Sequence, residues 1–271
     1  MMDFAINWSP EASVLLDAGL IEVDYYKCPD WPNLVADART QRPSYVHFPL
    51  SIGIGQSPAW DFAEIEDWFQ RTETRFVNAH IVPNTEQFSA DIELDALAET
   101  LSIEVQRLVD AFGAERVIIE NCPFFARNAD TGKLAQSIEP ALFHAIIAST
   151  GCGFLLDISH AYLVCDYLER DFEAYVNAMP VQHLRECHVT GVGMWSTGTF
   201  GDHMPLTAPD WQRFGYCADQ MRTGHWRKPE VLAFEYGGIE FLRDLCGSDR
   251  DAIAEQAPRL YATVQAITNA D

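Results

Sequence analysis

No run of about 18 apolar residues occurs in this chain, so nothing in it reads as a membrane-spanning helix. The seven cysteines are scattered, odd in number and never spaced as CxxC. That argues against a disulfide framework and for a reducing compartment, with the cytoplasm as the expected address. The opening "MMDFAINWSPEAS" has neither a basic stretch nor a long apolar one, so no signal peptide is expected. Basic residues are few: 18 Lys and Arg stand against 40 Asp and Glu, for a formal net charge of −22. Gripping phosphate backbones favours the opposite sign, which disfavours nucleic acid as a partner; solubility accounts for the acidity. A GxSxG turn, a P-loop and a GxGxxG after the first apolar run are all missing, as are linkers, repeats and low-complexity tracts. One domain over residues 1–271 is expected.

What is present is a core-forming composition, 48% hydrophobic and 12% aromatic. Eight short runs read as strands: "DFAIN" (3–7), "LIEVD" (20–24), "SYVHF" (44–48), "RFVNAH" (75–80), "RVIIE" (116–120), "GFLLD" (153–157), "HLRECHV" (183–189) and "VLAFE" (231–235). Helical patterns lie between them. "SPEASVLLDAG" offers a Ser N-cap with Pro at the first helical position. Residues 91–112 carry an apolar stripe from Leu94 to Phe112, "IEPALFHAIIAST" ends at Gly151, and "DAIAEQAPRLYATVQAI" closes the chain. Strict alternation of strand and helix implies a parallel sheet, and eight units in this length imply a single (β/α)8 TIM barrel.

In such a barrel the active site is built at the C-terminal ends of the strands. Here those ends carry His47, His80, Glu120, Asp157 with His160 just beyond, His188 and Glu235, while Asp202 and His203 follow in "GVGMWSTGTFGDHMP". Any one histidine at a strand end is more often a hydrogen-bonded structural residue. A buried carboxylate is harder to dismiss, because it must find a partner or neutralise. Taken jointly, the set reads as a metal site. His144, His183 and His225 lack the placement and read as structural or surface residues. Imidazoles and carboxylates without a thiolate suit iron, manganese or catalytic zinc. The donors exceed what one ion uses, so two or three ions are expected, bridged by Glu120 or Glu235. Asp157 is expected to bind directly; the reach of His160 depends on the turn "ISH". Cys122, in "ENCPFF", reads as a small buried thiol rather than a nucleophile.

The motifs also resemble a known family. The pattern is similar to the xylose isomerase-like TIM-barrel superfamily, which includes sugar isomerases, epimerases and endonuclease IV. Within it, the resemblance is to the multinuclear non-haem iron-dependent oxidative enzymes, the group of the methanobactin-biosynthesis oxidase. The similar segments are "HFPLSIGIG" (47–55), "VNAH" (77–80), "IIENCPFF" (118–125), "FLLDISHAYL" (154–163), "ECHVTGVG" (186–193), "DHMPLTAPDW" (202–211) and "LAFEYGGI" (232–239). Two positions depart from that pattern. His160 stands where the family usually has Asn, and Asp202 and His203 are adjacent where the family separates them.

The resemblance implies a two- or three-iron centre that uses dioxygen to oxidise a cysteine-containing peptide, with a partner protein presenting it. Asn121, Ser51 and Asn78 would orient the ligands. A sugar isomerase or epimerase is the rival reading: Glu120, Asp157, His188 and Glu235 would then form a single-metal catalytic site, the two glutamates acting as acid and base on a small-molecule substrate. An endonuclease IV-like hydrolase is a further alternative, and the intact ligand set argues against a non-catalytic binding module.

Overall fold

"VIIE" and "GFLLD" are apolar or small at every position but the last, the pattern of parallel strands covered on both faces. In the computed structural model, which describes residues 2–125 and 132–270, both are strands buried along their whole length. The strands in chain order are β1 (Asp3–Asn7), β2 (Tyr25–Cys28), β3 (Ser44–Val46), β4 (Ser51–Ile52), β5 (Val77–Ile81), β6 (Val117–Glu120), β7 (Gly153–Asp157), β8 (Leu184–Val189), β9 (Gly191–Met194), β10 (Phe200–Met204) and β11 (Val231–Phe234). The chain forms two compact units, one running from His47 to Arg185 and the other joining residues up to Val46 with those from Glu186 on.

In the unit built from both chain ends, parallel strands follow the order β3-β2-β1-β11-β8. Helix Pro10–Asp17 starts where the sequence places it, with Ser9 Oγ accepting from Ala12 N and Pro10 at the first position. Helix Arg250–Thr268 buries Ile253, Leu260 and Val264. The second strand is not "LIEVD" but the next segment, "YYKC". Leu20 is exposed, and Asp24 is tied to β1 through both its backbone and its side chain, Phe4 N donating to its Oδ2 at 2.8 Å. The lysine in "YYKC" hides a strand whose Tyr26, Lys27 and Cys28 are all buried. Antiparallel β9 and β10 form a hairpin that the sequence reads as loop.

The His47–Arg185 unit has parallel order β7-β6-β5-β4. Helix Leu94–Phe112 buries Leu97, Leu101, Val105 and Leu108 on one stripe, and helix Pro140–Thr150 ends on Gly151 in the left-handed region. Two asparagines extend the ladder beyond the strands. Asn78 Oδ1 accepts from Phe48 N at 2.7 Å while its Nδ2 donates to Phe48 O at 2.9 Å, which explains why "SYVHF" leaves the sheet at Val46. Asn121 does the same for Asp157, both bonds being 2.9 Å.

Gly53 closes the turn after β4 at φ 89°, and a Cβ there would lie 2.8 Å from Pro83 Cα. Gly198 has a similar φ, 80°, but open space around it. Gly53→Ala should therefore cost more than the roughly 1–3 kcal/mol of a strained backbone position, and more than Gly198→Ala, in parallel denaturant titrations; equal losses would show that Pro83 yields freely. Asn121→Ala removes both bonds to the Asp157 backbone. It should lower stability in chelator by about 2 kcal/mol or more, and an unchanged melting temperature would refute that structural role.

Candidate metal centre

Register fixes the first cluster. Glu120, at the end of β6, is paired with His80 on β5, and His80 is paired in turn with Ser51 on β4. Glu120 is 1% exposed. Its Oε2 lies 3.1 Å from His80 Nε2 and 3.5 Å from His47 Nε2, and its Oε1 lies 3.6 Å from His160 Nδ1. Asp157 ends β7 and caps the helix Ile158–Leu168, Oδ1 accepting from His160 N at 2.7 Å. That capping turn brings the His160 ring back, with Nε2 3.8 Å from Asp157 Oδ2. His47, His80 and Glu120 form one group, and Glu120, Asp157 and His160 a second; within each, the ligand atoms lie within 4.8 Å of one another. Glu120 belongs to both.

The imidazole tautomers follow from their partners. His80 Nδ1 faces Leu50 O at 3.3 Å, and His160 Nδ1 faces Asn121 O at 2.8 Å. A carbonyl only accepts, so both Nδ1 atoms carry a proton, and each Nε2 is the nitrogen left to meet a cation, whether a second proton or a metal ion. The Asn78 amide, oriented by Phe48, donates its N–H to His47 Nε2 at 3.0 Å. Glu120 Oε2 and His80 Nε2 lie 3.1 Å apart. A proton between them accounts for that distance, and it equally suits two ligands of one ion with bonds of about 2.0–2.2 Å. Fixing the imidazole through its other nitrogen is what metal-binding histidines require. The donor set fits a metal.

The second cluster belongs to the other unit. His188 is fully buried, its Nδ1 3.1 Å from Glu235 Oε1 and its Nε2 2.9 Å from Glu186 Oε1. Glu186 lies two residues before His188 on β8 and therefore on the same face; it also accepts from Tyr45 OH at 2.8 Å. Burial first, and then the Glu186 charge, push the Tyr45 phenol well above its ordinary range. Lys27 Nζ lies 2.5 Å from Glu235 Oε1. Asn7, Lys27 and Tyr45 are register partners across β1, β2 and β3, and Asn7 Nδ2 donates to Glu235 O at 2.9 Å. This row is absent from the expected site. Its signals were present: a lone lysine in an apolar run, and a glutamate in Glu-x-His alternation.

Asp202 and His203 sit in an irregularity of the hairpin between Gly201 and Met204, His203 having φ 57°. His203 Nδ1 donates to Glu235 O at 3.0 Å, its Nε2 is 3.8 Å from Asp202 Oδ2, and Trp195 Nε1 donates to Asp202 O at 2.8 Å. Among the described residues, neither joins a group of three potential ligands. Cys122 is buried, and burial pushes its thiol up to about 11, which makes it a poor nucleophile. All seven cysteines are buried and none is in a disulfide. His144, His183 and His225 are exposed.

Among the described residues no helix is long and apolar enough to cross a membrane. No curated protein matches the chain in sequence. Several solved structures match its fold. A xylose isomerase domain-containing protein from Salmonella typhimurium LT2 is 16% identical with a TM-score of 0.54, covering 97% of each chain. The IolI protein with a bound zinc atom is 10% identical with a TM-score of 0.59, over 100% of this chain and 99% of its own. A xylose isomerase-like TIM-barrel protein from Mycobacterium smegmatis in complex with magnesium is 14% identical with a TM-score of 0.53, over 100% and 98%. These likenesses bear out the expected fold class, an α/β xylose isomerase-like TIM barrel. A family profile described as RiPP precursor modification enzyme MbnB/TglH/ChrH matches residues 25–222. The chain belongs to this family of enzymes that modify ribosomally made peptide precursors.

Proposed function

We propose that the chain, acting as a single domain, is an iron-dependent oxidative enzyme that modifies a cysteine-containing peptide brought by a partner protein. The observation that carries this reading is Glu120, a buried carboxylate shared by two groups of imidazole and carboxylate donors. Family membership favours a peptide over a sugar or a nucleic acid as substrate. Mixed nitrogen and oxygen donors suit iron, with manganese or zinc as the alternatives.

His47, His80 and Glu120 would hold one ion, and Glu120, Asp157 and His160 a second. His188 and Glu235 offer a third position, with Asp202 and His203 beside them on β10. Iron bound there would supply the electron transfer to dioxygen that oxidation of a thiol requires. Asn121 fixes the Asp157 backbone and, through its own carbonyl, the His160 ring. Asn78 fixes the backbone beside His47, and Ser51 holds the strand register of His80. The buried surroundings of Glu120 and Asp157 keep water from the ligands and strengthen their hold on a cation.

Purification without oxygen, followed by metal analysis and then by exposure to dioxygen with cysteine-containing peptides, tests the reading. Bound iron, oxygen uptake and a mass change confined to cysteine are expected; a metal-free chain of equal activity would refute it. Glu120→Gln keeps the volume but removes the shared charge, so two ions should be lost together, whereas His203→Ala should lose at most one. Loss of a single ion from Glu120→Gln would refute the shared role.

A further inference from the structure

Lys27 is a buried cation on β2, and a buried ammonium must be paired or give up its proton. It is paired with Glu235 Oε1, the same oxygen that lies 3.1 Å from His188 Nδ1. An ion bound by Glu235 and His188 would set its charge against the oxygen that the ammonium already holds. Two cations on one carboxylate oxygen in a low-dielectric interior repel.

The surrounding contacts decide which group gives way. The Glu235 backbone is fixed: its carbonyl accepts from Asn7 Nδ2 at 2.9 Å and His203 Nδ1 at 3.0 Å, and its N–H donates to Val189 O at 3.0 Å. His188 is held through Nε2 by Glu186. The Lys27 backbone is fixed by its strand pairs and by Trp8 N, which donates to Lys27 O at 3.0 Å. Both side chains can turn, but the Lys27 ammonium, a point charge on a flexible four-carbon stem, can leave without removing a metal ligand.

We propose that Lys27 is an internal counter-ion that competes with metal for Glu235. In the metal-free chain it neutralises and positions Glu235; on loading it releases Oε1. The Glu235–His188 position is therefore filled last and most weakly, and its occupancy follows the metal supply. This rests on the metal centre proposed above.

Equilibrium titration of the metal-free full chain with Co(II), read by metal analysis and thermal melting, tests it by comparing the parent with Lys27→Met. The variant should melt below the parent without metal, because Glu235 loses its counter-ion, and should recover at saturating Co(II). Its last ion should bind tighter by roughly tenfold or more, the range of ordinary coupling between sites, which is reciprocal. A lysine of merely structural importance would lower the melting temperature without tightening any ion. Should the variant not fold metal-free, it is refolded in Co(II) and stripped with increasing chelator, and its last ion must then leave at higher chelator than the parent's. Unchanged or weaker binding of the last ion, with the parent still binding Co(II), overturns the competition alone. A parent that binds no Co(II) overturns the metal centre and this proposal together.

Discussion

A carboxylate taken out of water must be neutralised by something, and Glu120 at the end of β6 is 1% exposed. Much of the His47–Arg185 unit answers that requirement. Strand register brings His80 beside Glu120, the segment before β4 brings His47, and the capping turn after β7 brings His160. None of these imidazoles is merely close. Two of them have Nδ1 committed to a backbone carbonyl, so the nitrogen left over is Nε2, the one that faces a carboxylate. A cation between that nitrogen and the carboxylate satisfies both, and a metal ion can supply it. The tautomers thus turn a packing problem into a coordination chemistry.

Orientation of that kind depends on backbone that does not shift. Asn78 and Asn121 each grip a neighbouring residue by both N–H and C=O, which is how one strand grips the next. An asparagine side chain thereby continues the sheet past the point where the strands diverge. Asn121 also lends its own carbonyl to His160, so one residue fixes the Asp157 backbone and the ring that faces the Asp157 carboxylate. The hold on the ligands is made of amide groups, which neither titrate nor compete as anions.

The legible part of this arrangement was the placement of polar residues at the ends of apolar runs. "VIIE" and "GFLLD" declare buried parallel strands, and a carboxylate closing such a run has few bland explanations. The illegible parts have physical causes. Lys27 breaks the apolar pattern of β2, so the sequence points to "LIEVD" instead, where Leu20 is exposed. The hairpin of β9 and β10 is rich in glycine and short in alternation; it forms because Trp195 packs over Gly201, where a Cβ would lie 2.3 Å from the indole. The role of Asp157 as a helix cap was readable from Asp-x-x-His, but the direction in which that cap turns His160 depends on the carbonyl of Asn121, distant in sequence.

Glu120 and Glu235 look equivalent in sequence, each an acid at the end of an apolar strand, yet their surroundings solve the same problem differently. Glu120 is met by imidazoles. Glu235 is met by an ammonium from β2, the strand beyond β1, and His188 beside it is held by a second carboxylate, Glu186, that Tyr45 also contacts. The first arrangement sets ring nitrogens around the carboxylate. The second carries a cation within the chain. A carboxylate already paired offers less to an incoming ion than one that is not, because part of its field is spent on the partner it has. Two chemically identical ligands therefore enter coordination on unequal terms, and the inequality comes from a lysine on a strand that makes no other claim to the chemistry.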